Sequence, residues 1–123
     1  MSEGHLVRHQ NDVQPVPCPC GQSTRIMTRA DGPVANIHVT AFREDSRTHY
    51  HKAITEFYYI LEGEGVLELG DDEIPLTPGL LVRIDPGTHH RGRGAFRALI
   101  VGVPAWDPAD EFFPDEEQAD TPG

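Results

Sequence analysis

The chain is poor in cysteine, in basic residues and in long apolar runs. Its two cysteines, in "PCPCG", make no disulfide framework, and a bridge between Cys18 and Cys20 closes a very small ring, so both are read as reduced. Two thiols also fall short of the four ligands of a structural zinc site. Ten Lys and Arg stand against 20 Asp and Glu, a net charge of −10 over 123 residues. That balance opposes attraction to phosphate backbones and anionic lipid, which argues against nucleic-acid and membrane partners. The longest apolar stretch, Ala98 to Trp106, is far too short to span a bilayer. The first residues, "MSEGHLVRHQND", lack the apolar core of a signal peptide, so a cytoplasmic location is expected. Sustained helical periodicity is missing as well; only "DPADEFF" suggests a helix, with Asp107 as cap and Pro108 at its first position.

What remains is the texture of one all-β domain. Residues 1–20 read as an extended N-terminal arm, because Pro15, Pro17 and Pro19 at alternate positions exclude a central strand. Residues 21–106 carry short runs rich in Val, Ile, Leu, Tyr and Phe, broken at Asp31-Gly32, Gly63, Gly70, Pro78-Gly79, Pro86-Gly87 and Gly94. Such a rhythm belongs to a sandwich or barrel of antiparallel strands. Residues 107–123 form a short acidic tail, from Asp107 to Asp120 without a basic residue, and read as solvated. In "ANIHVTAF" the apolar Ile37, Val39 and Ala41 are expected to face inward, leaving His38 and Thr40 half-exposed. The run "EFYYILEG" is apolar on both faces, as if a second subunit covered one of them.

Two imidazoles and a carboxylate break this apolar texture. His49 and His51, two apart on an extended segment, project together as a clamp for a cation. If Lys52 to Thr55 form a hairpin loop, Glu56 lies opposite them on the paired strand. A third imidazole follows the Pro86-Gly87 turn; of His89 and His90, adjacent on a strand, only one points inward. By the same parity Arg47 shares the face of the clamp, where it holds a substrate carboxylate or phosphate, or else sits on the rim paired with Glu44 or Asp45. Tyr58 shares the parity of Glu56 and lines the cavity or joins the core, while Tyr59 faces outward. Parity leaves Arg83 and Arg91 unassigned.

These residues resemble the cupin superfamily. Its first motif is matched by His49, His51, Glu56 and Gly63, and its second by Gly79, Pro86 and His90, although the glycine-to-proline spacing is one residue longer than usual and Gly94 stands where the family has asparagine. The likeness covers about residues 24–103, in the manner of a small single-domain cupin. It implies a double-stranded β-helix, the jelly-roll barrel, with His49, His51, Glu56 and His90 holding one divalent transition metal. Four protein ligands tend to close a zinc site, whereas iron, manganese, nickel or cobalt keep positions open for substrate. The resemblance implies a metal-dependent enzyme, an oxygenase, isomerase or lyase, for a small oxygenated or anionic metabolite. Its alternative is a barrel that binds or senses a small molecule without transforming it. A homodimer is expected, its subunits protecting each other's sheet edges.

Overall fold

The computed structural model describes residues 4–119; residues 1–3 of the arm and 120–123 of the tail, Asp120 among them, lie outside the described residues. Seven strands follow in order: β1 (Val16–Cys18), β2 (Gly21–Met27), β3 (Asn36–Phe42), β4 (Thr55–Leu69), β5 (Asp72–Leu76), β6 (Leu81–Ile84) and β7 (His90–Val103). Every pairing is antiparallel, in the spatial order β1-β2-β3-β7-β4-β5, with β6 also on β4. The two prolines inside strands, Pro17 of β1 and Pro75 of β5, sit on strands at the ends of this order, where a missing N–H costs no ladder bond. The expected jelly-roll barrel is therefore the fold, and no described helix is long and apolar enough to cross a membrane.

The long strands β4 and β7 make the closure. Along their ladder Glu56 pairs with Gly102 and Leu69 with His90, so Glu56 and His90 stand at opposite ends. Yet their side chains meet at 3.0 Å, because both strands bend and bring their ends together across the interior. Two expected breaks prove to be these bends. Gly63 lies inside β4 with φ +94°, where a Cβ would stand 2.4 Å from the carbonyl oxygen of Ala95. Gly94, inside β7 at φ +103°, lets the facing backbone of Gly65 and Glu64 approach closely.

The core gathers at the closed end of the barrel. Ile60, Leu67, Leu76, Phe96 and Ala98 are all buried there, with the Phe42 and Phe96 rings stacked at 4.2 Å between centroids. On the outer face of β4, Tyr59 and Leu61 remain exposed, as do Leu81 and Val103 on the neighbouring strands. Tyr59 thus points outward as its parity requires, and on the second apolar face of "EFYYILEG" Tyr59 and Leu61 are exposed while Phe57 is half-buried.

Three readings need correction. Cys18 and Cys20 form a disulfide rather than free thiols: β1 and β2 pair up to Cys18 and Gly21, leaving Pro19 and Cys20 as a two-residue loop. That loop sets their Cα atoms 5.2 Å apart, inside the span of about 4.4–6.8 Å that disulfides occupy. The "DPADEFF" helix is only a single turn, Pro108–Asp110, capped by the Asp107 side chain as expected. The acidic segment is also not simply solvated. Its residues 110–117, which include the start of the short helix α1 (Pro114–Ala119), pack against 47–53.

Candidate metal centre

The cavity face of β3 is the polar one, against the expectation from its alternation. Asn36, Thr40 and Phe42 are buried and His38 partly so, all four lining one cavity, whereas on the other face Val39 is buried as expected but Ile37 and Ala41 are only half-buried. The ladder continues this row: Arg25 pairs with His38, His38 with Ile100, and Ile100 with Tyr58. Alternation sorts residues onto two faces without saying which one is inside, and a polar cavity inverts the usual choice. Burial first, and then the charge of Arg25, lower the His38 pKa to about 4, so its ring is neutral at pH 7.

At one end of this cavity the ligand atoms of His49, His51, Glu56 and His90 all lie within 4.8 Å of one another. Glu56 reaches the cavity from β4, and His90, the first residue of β7, is 1% exposed. His89 turns the other way and stacks on Tyr50. The route to this cluster differs from the expected hairpin. Residues 49 and 50 make only isolated bridges, His49 with His90 and Tyr50 with Phe112, while β4 pairs with β5, β6 and β7. Glu56 therefore meets the histidines across the interior rather than along a ladder.

Each imidazole is aimed by a backbone carbonyl. His49 Nδ1 lies 3.2 Å from the oxygen of Arg47, His51 Nδ1 2.7 Å from that of Asp110, and His90 Nδ1 2.9 Å from that of Thr88. A carbonyl only accepts, so each Nδ1 carries a proton and donates it, which turns Nε2 toward the cluster. His90 Nε2 stands 3.0 Å and His51 Nε2 3.3 Å from Glu56 Oε1. Burial works to raise the Glu56 pKa, but hydrogen bonding with His51 and His90 outweighs it and holds the carboxyl far below its usual range, and against burial the same carboxylate raises the pKa of His51. Burial and the neighbouring His90 depress the His49 pKa to about 4, so this ring too is neutral at pH 7. Three Nε2 atoms and an ionised carboxylate are the donors a divalent transition metal takes, so the set fits such an ion once the proton that Glu56 favours on His51 is displaced.

The cavity in front of the cluster holds about 280 Å³. Tyr58 lines it, 4% exposed, and among the described residues its hydroxyl has no hydrogen-bond partner. Burial, then the charge of Glu56, push its pKa well above the phenol range and keep it a proton donor. Arg47 also lines the cavity but is already engaged: its guanidinium holds Asp115 at 2.6 Å and Glu116 at 3.2 Å and lies 3.8 Å over the Phe113 ring. Its partners are thus in the acidic segment, not the expected Glu44 or Asp45. Arg83 pairs with Asp85, and Arg91 with Glu68, away from the cavity.

Two charged cavity residues are not legible in the sequence. Arg25, on β2, lines the mouth and makes no ion pair among the described residues. Glu111, next to the carbonyl that holds His51, also lines it; burial raises its pKa against the charges of His51 and Arg25, and among the described residues its carboxylate makes no hydrogen bond or close ion pair. The parity of Arg25 with Ser23 was available as a signal, but placing it inside requires knowing that β3 turns its polar face inward. Nothing local to Glu111 marks it off from the other acids of the tail.

A jelly-roll barrel with three imidazoles and a carboxylate converging at one end of a polar cavity defines the class. The chain belongs to the Cupin domain family, whose pattern it matches over residues 38–101. It is 32% identical over 71 residues to the L-ectoine synthase of Aliivibrio fischeri (strain MJ11), a match covering 56% of this chain and 56% of that protein. The chain thus spans about half the length of the curated relatives it matches. A protein from Planctomyces limnophilus superposes with a TM-score of 0.83 at 31% identity, covering 90% of this chain and 98% of that one. A Streptomyces nucleoside dehydratase superposes with a TM-score of 0.79 over 88% of this chain and 89% of that one; at 16% identity this is a likeness of fold.

Proposed function

We propose that His49, His51, Glu56 and His90 hold one divalent transition metal and that the barrel is a metal-dependent enzyme for a small oxygenated or anionic metabolite. The observation carrying this reading is the convergence of three Nε2 atoms and a carboxylate, with every Nδ1 tied to a carbonyl. Iron, manganese, nickel or cobalt suits the set as a six-coordinate ion with room for substrate, and zinc suits it as a closed four-coordinate one. The metal supplies Lewis-acid polarisation of a substrate oxygen.

The chain's own residues do the rest. Arg25, free of ion pairing, receives an anionic group at the mouth, a role the sequence assigned to Arg47. In this reading Arg47 binds substrate only after releasing Asp115 and Glu116. Tyr58 donates its hydroxyl proton to a substrate oxygen, and Glu111 accepts or returns a proton. Among oxygenase, isomerase and lyase chemistry, elimination is favoured, because one structural neighbour is a dehydratase and a donor phenol beside a carboxyl suits loss of water. The second reading, a binding or sensing barrel, is favoured by the 4% exposure of Tyr58, which a ligand hydrogen bond alone would satisfy. We also assign a second copy of the chain to the exposed face of Tyr59, Leu61, Leu81 and Val103.

Elemental analysis of protein purified without chelator or affinity nickel, beside His49→Ala, tests the centre. Near-stoichiometric metal lost in the variant supports it; absence from both proteins, with failed reconstitution, rejects it. Hydroxy acids converted with release of water establish the enzyme, whereas saturable binding with intact ligand recovered establishes the binding barrel.

A further inference from the structure

The acidic segment does more than border the cavity; it is stitched to the histidine segment residue by residue. Tyr50 and Phe112 exchange both backbone hydrogen bonds at 3.0 Å. His51 Nδ1 donates to the Asp110 carbonyl at 2.7 Å. The Asp110 carboxylate accepts from the backbone N–H of Lys52 at 2.9 Å with one oxygen and from that of Ala53 at 3.1 Å with the other. One residue therefore grips the ring of His51 from its main chain and the backbone just beyond it from its side chain.

We propose that Asp110 is a positioning residue for the metal centre, its carbonyl and carboxylate together fixing His51 so that order in residues 107–117 and metal affinity depend on each other. This rests on the metal reading above. The carbonyl fixes the proton on Nδ1 and the tilt of the ring, and the carboxylate keeps residues 52–53 from drawing His51 away. The carbonyl contact holds its 2.7 Å geometry only while the side-chain clamp keeps Asp110 seated. Partners of this kind set metal affinity by about 10–100-fold. Coupling is reciprocal, so metal bound at His51 must in turn hold the segment in place. The family match ends at residue 101, so this brace is supplied by chain beyond it.

The test measures cobalt(II) affinity of the full-length protein by competition with a chromophoric chelator, together with the melting temperature of the metal-free form. Asp110→Ala is expected to weaken cobalt(II) binding by about 10–100-fold and to change the visible spectrum of the bound ion. Asp110→Asn, which keeps one acceptor, should fall between it and the wild type. In the wild type, cobalt(II) should slow amide exchange across 110–113. If Asp110→Ala lowers the melting temperature but binds cobalt(II) like the wild type, Asp110 is only a loop brace and the inference falls. Should Asp110→Ala not fold, unchanged affinity in Asp110→Asn and unchanged exchange in the wild type overturn it equally. Failure of the wild type to bind cobalt(II) at all is a different result, and removes the metal reading itself.

Discussion

The two ends of the barrel interior are lined by the same strands but by opposite chemistry. At the closed end β4 contributes Ile60 and Leu67 and β7 contributes Phe96 and Ala98, each 0–3% exposed. At the other end the same two strands contribute Glu56, Tyr58 and His90, buried almost as deeply. Burying a carboxylate and three imidazoles costs free energy unless they are paired, and the apolar end is what offsets that cost. The difference teaches that fold and polar cluster are separable here: one end holds the barrel shut, and the other gives up stability to keep polar groups buried.

Substitutions at the two ends should break the comparison in different ways. The largest effect on folding is expected at the closed end: Ile60→Ala should lower stability by about 2–5 kcal/mol, measured by urea denaturation, while the remaining folded protein keeps its metal. Equal loss of metal per folded molecule would show that the two ends are not separable. At the polar end, cobalt(II) at about 100 times its dissociation constant should raise wild-type stability by about 2.7 kcal/mol, and His49→Ala should show no such rise. A mutant still stabilised by the metal would exclude His49 as a ligand.

A smaller effect is expected from pH. His38 faces Arg25 from β2 and the Glu56 charge, and its native pKa is depressed from 6.5 to about 4. Between these values the unfolded chain binds a proton that the native ring refuses, so the stability of the metal-free protein falls as pH drops from 6.5 toward 4. His49, depressed in the same way, contributes to the same window. Replacement by His38→Gln should flatten the fall by on the order of 1–2 kcal/mol; an unchanged slope would mean that His38 is charged in the native state. The smallest folding effect is on the outer surface, where Leu81→Glu should move stability by less than about 0.5 kcal/mol. Light scattering should nevertheless show its mass halved relative to a dimeric wild type. An equal mass for both proteins would place any interface elsewhere.

How far these features could be read in the sequence follows from how local each one is. The barrel was legible because turn residues and apolar runs are local signals, and the cluster because His49, His51 and Glu56 lie within one short stretch. Gly63 and Gly94 looked like breaks, since a glycine that bends a continuous strand has the same local signature as one that ends it. The inward face of β3 was misjudged because hydropathy assumes a dry interior. The pairing of Arg47 with Asp115 spans 68 residues, and no pattern near either one announces it. Ring size argues against a Cys18–Cys20 bridge, while the hairpin loop that brings the two together lies in a segment whose alternate prolines suggest an extended arm.

The carbonyl anchors of the three imidazoles belong to Arg47, Thr88 and Asp110, and they are main-chain atoms. Any amino acid at positions 47 and 88 brings the same oxygen. The aim of the rings is therefore independent of the side chains at these two positions, although that of Arg47 holds Asp115 and Glu116. At Asp110 that independence is curtailed, since there the side chain also holds the backbone in place. A substitution at 47 or 88 can therefore alter the surroundings of the rings without unmaking the carbonyl that aims them.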